Sequence, residues 1–472
     1  MKYEALAREL AESIRKGVLV PGARLPSVRQ ASANRGVSPA TVFEAYYLLE
    51  AQGLIHSRPK SGYYVSTKLR IALPEPDRAS LPDGESRPVE ISERVFELIE
   101  SAMSHDVVPL GSAFPSPLLF PLEKLGRAMA TSAMALDPWS TVDDLTPGNE
   151  GLRRQIALRY LIDGLQVGIE DIVVTNGALE ALNLCLSAVC RPGDAVVVES
   201  PCFYACLQAL ERHGLHAIEV STDPREGIDL FALESAIQRH RPKACWLMTN
   251  FQNPLGSTMG AEKKKALVEL VTRFEVALIE DDVYAELYFG EQRPVPAKAF
   301  DRDGWVMHCS SFSKTLAPGY RIGWVAPGRF RKLVARHKLM ATLATCIPAQ
   351  MAIARYLERG IYDRYLRQLR KTLAANRDQF SAAIGARFPA GSRVSRPMGG
   401  YFLWIELPQG TDAMAVQGAA IKAGISVASG PIFSAMRGFT NCLRLNYGHA
   451  FDERTESALM VLGELCGAKR SK

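Results

Sequence analysis

From position 309 to 323 the chain reads Cys-Ser-Ser-Phe-Ser-Lys-Thr-Leu-Ala-Pro-Gly-Tyr-Arg-Ile-Gly. Ser311 and Ser313 stand beside Lys314, and Arg321 follows seven residues later. Pro318-Gly319 falls between, so the segment is a turn rather than a continuous helix and can fold Arg321 back toward Lys314. Such a loop offers an amine nucleophile, hydroxyl donors and a fixed cation to one small anionic ligand. A lysine beside a phosphate site is what a Schiff base with pyridoxal 5'-phosphate (PLP) requires, and Lys314 is the candidate catalytic residue.

PLP makes further demands, and each has a candidate. Its phosphate carries a charge of about −1.5 to −2, by analogy with phosphorylated side chains, and calls for charge-assisted donors. Ser311, Ser313, Arg321 and the helix start at Asn176-Gly177-Ala178 can supply them, the last through free backbone N–H groups. The pyridine nitrogen must stay protonated to withdraw electrons, and Asp281 can stabilise that cation. Asn253 and Tyr284 are suited to donate to the phenolate oxygen, and Phe203 can lie flat on the ring.

Placing these groups together requires a sheet. Past residue 107 short β-rich runs alternate with helices, at 172–175, 195–199, 244–249, 277–280 and 306–310. That alternation predicts an α/β domain with a mostly parallel sheet covered by helices. Ligands bind beyond the carboxyl ends of such strands. Asn176-Gly177-Ala178 follows the first run, Phe203 the second, Asn253 the third, Asp281 and Tyr284 the fourth, and Lys314 the fifth. Every candidate therefore falls at the ligand end.

A second module precedes this one. The chain has 472 residues and a formal net charge of +6, with 47% hydrophobic and 22% charged residues. Residues 1–70 hold eleven Lys or Arg against five Asp or Glu, while the rest hold 45 of each sign. The positive excess thus belongs to the first seventh of the chain, as in a nucleic-acid module joined to a neutral domain. Helices are predicted over 3–16, from a Ser27 cap to about 36, and over 39–52 with Ser38 as its cap and Pro39 at the tolerated first position. They form a helix-turn-helix, followed by a two-stranded wing over 53–65. His56, Arg58 and Lys60 can line the wing against phosphates, and Ser61-Gly62 form its tip. Pro74, Pro76, Pro82 and Pro88 mark a linker over 67–106, with a helix over 92–104 that belongs to the following domain.

No apolar run reaches the length of a membrane span, so no membrane partner is expected. The N-terminus lacks a signal-peptide core. Nine scattered cysteines read as reduced thiols of a cytoplasmic protein rather than as metal ligands.

Residues 2–66 resemble the winged helix-turn-helix of GntR-type regulators. The resemblance implies that Arg24, Ser27 and Arg29 hold the DNA backbone or reach bases, and that Thr41 faces the groove, within a DNA-binding set of Arg24, Ser27, Arg29, Ser38, Thr41, Arg58, Lys60 and Gly62. Where many relatives carry arginines on the second helix, this chain has Pro39 and Phe43. From about residue 110 onward, Ser-Phe-Ser-Lys-Thr, Arg-Ile-Gly-Trp, Asn-Pro-Leu-Gly and Asp-Asp-Val-Tyr resemble fold-type I, PLP-dependent aminotransferases. That similarity implies that Arg444 binds the α-carboxylate of a substrate or effector, with a guanidinium fork matched to it. A tyrosine that many relatives place before Gly148 is replaced here within residues 143–147.

The whole plan, with domains at 1–66, 67–106 and 107–472, resembles the MocR subfamily of GntR-type regulators. The implied function is a homodimeric transcription regulator that binds a DNA operator and senses PLP, or an amino acid or amine, through a Lys-PLP aldimine. The alternatives are an active aminotransferase carrying a DNA-binding module and a degenerate fold kept only as a dimerisation platform.

Overall fold

The computed structural model describes residues 2–468 except 16–17, 21, 52–53, 59–60, 67–72, 77–78, 103–105, 140–141, 143–144 and 146. Two compact units divide the chain, one within Met1–Ala72 and the other comprising the bulk of residues 73–472.

In the first unit, α1 (Lys2–Arg15), α2 (Val28–Arg35) and α3 (Pro39–Ala51) precede the strands β1 (Ile55–Arg58) and β2 (Gly62–Val65). Leu6, Leu10 and Ile14, one stripe of α1, meet Val42, Ala45, Tyr46 and Leu49 of α3 in a closed core. Periodicity of this kind hides one face of each helix and leaves the other to solvent. Ser27 caps α2 by accepting from the Gln30 N–H at 3.2 Å, and Gly36 ends it in the left-handed region. Ser38 accepts from the Thr41 N–H at 3.2 Å, so both predicted caps are formed. The wing pairs Ile55 with Val65 and Arg58 with Gly62.

In the second unit the described strands of the main sheet run in the order β3 (Ser86–Pro88), β7 (His216–Asp223), β6 (Ala195–Ser200), β9 (Ala244–Leu247), β10 (Ala277–Asp281), β11 (Val306–Ser311), β12 (Gly323–Ala326) and β5 (Val173–Thr175). The short strands β4 (Val108–Pro109), paired with β15 (Ile425–Ser426), and β8 (Gly227–Ile228), paired with β7, lie outside that path. From β7 to β11 the pairing is parallel; β12 is antiparallel to both its neighbours, which leaves β5 parallel to β11. All five predicted runs are strands and their carboxyl ends point the same way. Their buried faces are near-continuous Val, Ile, Leu, Cys and Met, as expected for a sheet covered on both sides. A smaller sheet carries β14 (Phe402–Glu406) between β13 (Arg393–Val394) and β17 (Cys442–Asn446), with β16 (Ala428–Ser429) at its far edge.

The expected linker needs correction from Leu73 onward. The Pro74 carbonyl accepts from the Val394 N–H at 2.9 Å, Ser80 bonds Ser221 and Thr222, and Ser86–Pro88 adds an edge strand to the main sheet. Proline suits that edge, where its missing N–H interrupts no ladder. The helix Ser92–Ala102 also belongs to this unit: Val95 is buried in the core, and Glu211 accepts from the Ile91 and Ser92 N–H groups. Among the described residues, no helix is long and apolar enough to cross a membrane.

Candidate functional site

Lys314 lies just beyond the end of β11, nearly buried. Its Nζ donates to the Ala113 carbonyl at 2.8 Å and sits 3.9 Å above the centre of the Phe114 ring. Burial lowers its pKa to about 7, helped by the Arg444 and Arg321 cations and opposed by Asp281. A lysine so placed is largely free amine just above neutrality, which is the nucleophilic form.

Asp281 ends β10, one strand away. Burial and the neighbouring Asp282 push its carboxyl up to about 7, against Lys314, the Val283 N–H and the Trp246 indole. The two adjacent carboxylates have different surroundings. Asp282 accepts from Asn250 Nδ2 and from His308 Nε2, each at 3.0 Å. Asp281 Oδ1 is buried without a hydrogen-bond partner.

Arg444 is fully buried on β17 with its guanidinium 4.3 Å from the Phe402 ring centre. Nη1 donates to Asn253 Oδ1 at 3.2 Å, and Nη2 to the Gly111 carbonyl at 2.5 Å. Arg444 Nε and Asn253 Nδ2 are, like Asp281 Oδ1, buried polar atoms without partners. A buried donor or acceptor left unpaired costs about 1–3 kcal/mol, so three around one lysine describe a site shaped for a polar ligand.

The Arg321 end of the site is built by close backbone approach. Arg321 adopts the left-handed region at φ 54° and donates to Ser313 Oγ at 3.4 Å and to the Asn176 carbonyl at 3.2 Å. Gly177 has φ +82°, and a Cβ there would stand 2.4 Å from Arg321 Nη2. A Cβ on Gly323 would meet the Gly177 carbonyl carbon at 2.5 Å. Glycine is therefore required at both positions. The helix Ala178–Val189 begins here, and its first N–H groups have no intrahelical partner. The Asn176 N–H and side-chain amide are engaged by Glu180, so Asn176 serves this cradle through its carbonyl alone. Ser311 is buried at the end of β11 beside Gly323.

Tyr284 meets Tyr401 edge to face at 5.4 Å. Phe203 packs on Tyr204 at 4.8 Å, and the Arg444 guanidinium lies 5.8 Å from the Tyr204 ring centre. Sequence reasoning missed Tyr204, Tyr401 and the whole segment from Gly111 to Phe114. Tyr401 donates to the same Ala113 carbonyl as Lys314, at 3.1 Å, and Asn446 holds the Ser112 and Phe114 carbonyls. Gly399-Gly400 before Tyr401 was the one sequence signal for it. The 111–114 segment acts mostly through backbone carbonyls, which leave no mark on residue type, with the Phe114 ring as its one side-chain contact to Lys314.

In the first unit Arg24, Ser27, Arg29, Ser38 and Gly62 are exposed and Thr41 is half-buried. Arg24 bridges to Tyr64 of the wing, and its guanidinium lies 3.7 Å from the position a Gly62 Cβ would take. Lys60 and the Arg58 side chain lie outside the described residues.

The aminotransferase class I and II family matches residues 145–460, and the gntR family of bacterial regulatory proteins matches residues 2–65. The chain is 47% identical to the uncharacterized HTH-type transcriptional regulator YdcR of Escherichia coli (strain K12), over 98% of each chain. It is 39% identical to a second such regulator, YjiR, of the same organism, again over 98% of each. Among solved structures, a multiple substrate aminotransferase from Thermococcus profundus superimposes with TM-score 0.74 at 28% identity, covering 80% of this chain and 95% of that one. LysN, the alpha-aminoadipate aminotransferase of Thermus thermophilus, solved with N-(5'-phosphopyridoxyl)-L-leucine, gives 0.70 at 27%, covering 80% and 98%.

Proposed function

Since this chain belongs to the MocR-type regulators, which join a gntR-type helix-turn-helix to an aminotransferase class I and II domain, we propose that it controls transcription in response to PLP or to an amine that reacts at the PLP site. The observation that carries this reading is the set of three orphaned buried atoms, on Asp281, Asn253 and Arg444, around a lysine whose pKa is about 7.

Those residues fit the cofactor. Arg321, Ser311, Ser313 and the Gly177-Ala178 helix start would hold its phosphate, Asp281 its ring nitrogen, and Asn253 and Tyr284 its phenolate oxygen. Phe203 would cover its ring. When bound, PLP supplies an aldehyde and an electron-withdrawing ring. The chain supplies the rest. Lys314 presents a free amine because burial and two cations remove its proton. Asp281 keeps the proton on the ring nitrogen by presenting a carboxylate oxygen with no other partner. Arg444 keeps a cation in a dry pocket, where a carboxylate gains more from it than in water. Two cations, Arg321 and Arg444, against the single open carboxylate of Asp281 make the pocket positive, which suits a phosphate joined by a ligand carboxylate.

Regulation needs the ligand to prefer one state of the protein over another, typically by about 1–3 kcal/mol. Adding PLP to the purified protein should raise a visible absorbance band that Lys314→Ala lacks. Operator affinity, mapped by footprinting with and without PLP and candidate amines, should shift about 5- to 150-fold in wild type and stay fixed in Lys314→Ala. A wild-type protein that forms no band would remove the cofactor from the account. The complete set of Lys314, Asp281 and Arg444 also favours a second reading, amino-group transfer between amino and keto acids. Sustained multiple turnover on a panel of such pairs would establish it.

A further inference from the structure

The exposed side of α3 is chemically unusual for a helix expected to meet a polyanion. Ala40, Phe43, Glu44 and Tyr47 recur at helical spacing along it, and the helix contains no lysine or arginine. Val42, Ala45, Tyr46 and Leu49 fill the opposite, buried side. Phe43 is 52% and Tyr47 61% exposed, so two aromatic rings one turn apart face outward with Glu44 between them. Packing within the unit does not account for them, since its core closes without them.

The occupant of this face follows from charge and from the shape of its groups. The positive excess of residues 1–70 is complementary to a nucleic-acid backbone, and exposed cations stand off α3, at Arg24 and Arg29. Those cations can hold phosphates while α3 faces base edges. In the major groove thymine alone presents an apolar group, its C5-methyl, and cytosine presents the N4 amine that a carboxylate can accept from. Guanine shows acceptors there and is best read by a cation, which this face does not have. We propose that Phe43 and Tyr47 select thymine through its methyl group and Glu44 selects cytosine, so that guanine contacts from α3 play no part in operator choice. The inference rests on the DNA-binding reading above and deepens it. It also sets duplex DNA apart from duplex RNA, whose uracil lacks the methyl and whose major groove is closed to side chains.

The test uses the full-length protein and a pool of random-sequence duplexes. Selected sites should share thymines at fixed positions, and deoxyuridine in place of a contacted thymine should weaken binding about fourfold, the cost of one buried methyl. Phe43→Ala or Tyr47→Ala should bind the thymine and deoxyuridine versions of one site alike, whereas Phe43→Leu should restore part of the difference. Both positions are exposed, so thermal melts of the variants should match wild type. Selected sites without fixed thymines, no deoxyuridine penalty in wild type, or an equal penalty in both alanine variants would each overturn the assignment. Failure to bind DNA in a salt-dependent way would instead sink the DNA-binding reading, and this inference with it.

Discussion

Residue chemistry at the pocket is governed by dehydration. Lys314 and Asp281 both have pKa values of about 7, one lowered and one raised, because burial penalises each charged form. Their effects on PLP binding have the same sign. Raising the pH through 7 frees the Lys314 amine and charges the Asp281 carboxylate, and under the proposed function both changes would favour the cofactor. At pH 6 about a tenth of Lys314 is free amine and at pH 8 about nine-tenths. The rate of band formation should therefore rise through pH 6–8 and level off above, as stopped-flow absorbance would record. A flat profile would show that the amine is not titrating in that range.

Elements decide whether the cradle around Arg321, the proposed phosphate site, exists at all. The turn from β5 into the helix Ala178–Val189 brings Gly177 against both Arg321 and Gly323, closer than any side chain permits. Gly177→Ala should cost about 1–3 kcal/mol in stability from its backbone conformation alone, φ 82° with ψ 169°. It should also weaken PLP binding by at least about tenfold, since Arg321 must retreat. A melt and an absorbance titration on the same sample would separate the two effects. The segment from Gly111 to Phe114 works in the opposite way. Apart from the Phe114 ring under Lys314, it works through backbone carbonyls, which cap both Arg444 and Lys314.

Across the molecule, charge and chemistry are segregated. The excess positive charge lies in the first 70 residues and the buried ionisable pocket in the second unit. DNA affinity should therefore fall steeply with salt, and Arg29→Ala should flatten the slope of log K against log salt by about one if Arg29 meets a phosphate. An unchanged slope would take Arg29 out of the interface. The same substitution should leave the PLP absorbance titration as in wild type, because the pocket is built from residues beyond 110.

Much of this was legible in the chain before folding. Alternating apolar runs and helices specified the sheet, and Ser27, Ser38 and Gly36 marked helix ends, because such signals act between near neighbours. The order of Phe203, Asn253, Asp281 and Lys314 along successive strands specified a ligand end, since parallel strands all point one way. The reach of the second unit back to Leu73 was hidden, because proline-rich composition describes both a free linker and an edge strand. The order along the chain pointed to Asp281, but what would leave it rather than Asp282 open was equally hidden. That choice came from Asn250 and His308, distant in sequence, whose hydrogen bonds satisfy Asp282 and leave Asp281 Oδ1 bare. Local sequence sets which groups are present; only long-range packing sets which of them lose their water and which remain unpaired, and the chemistry of the pocket resides in those.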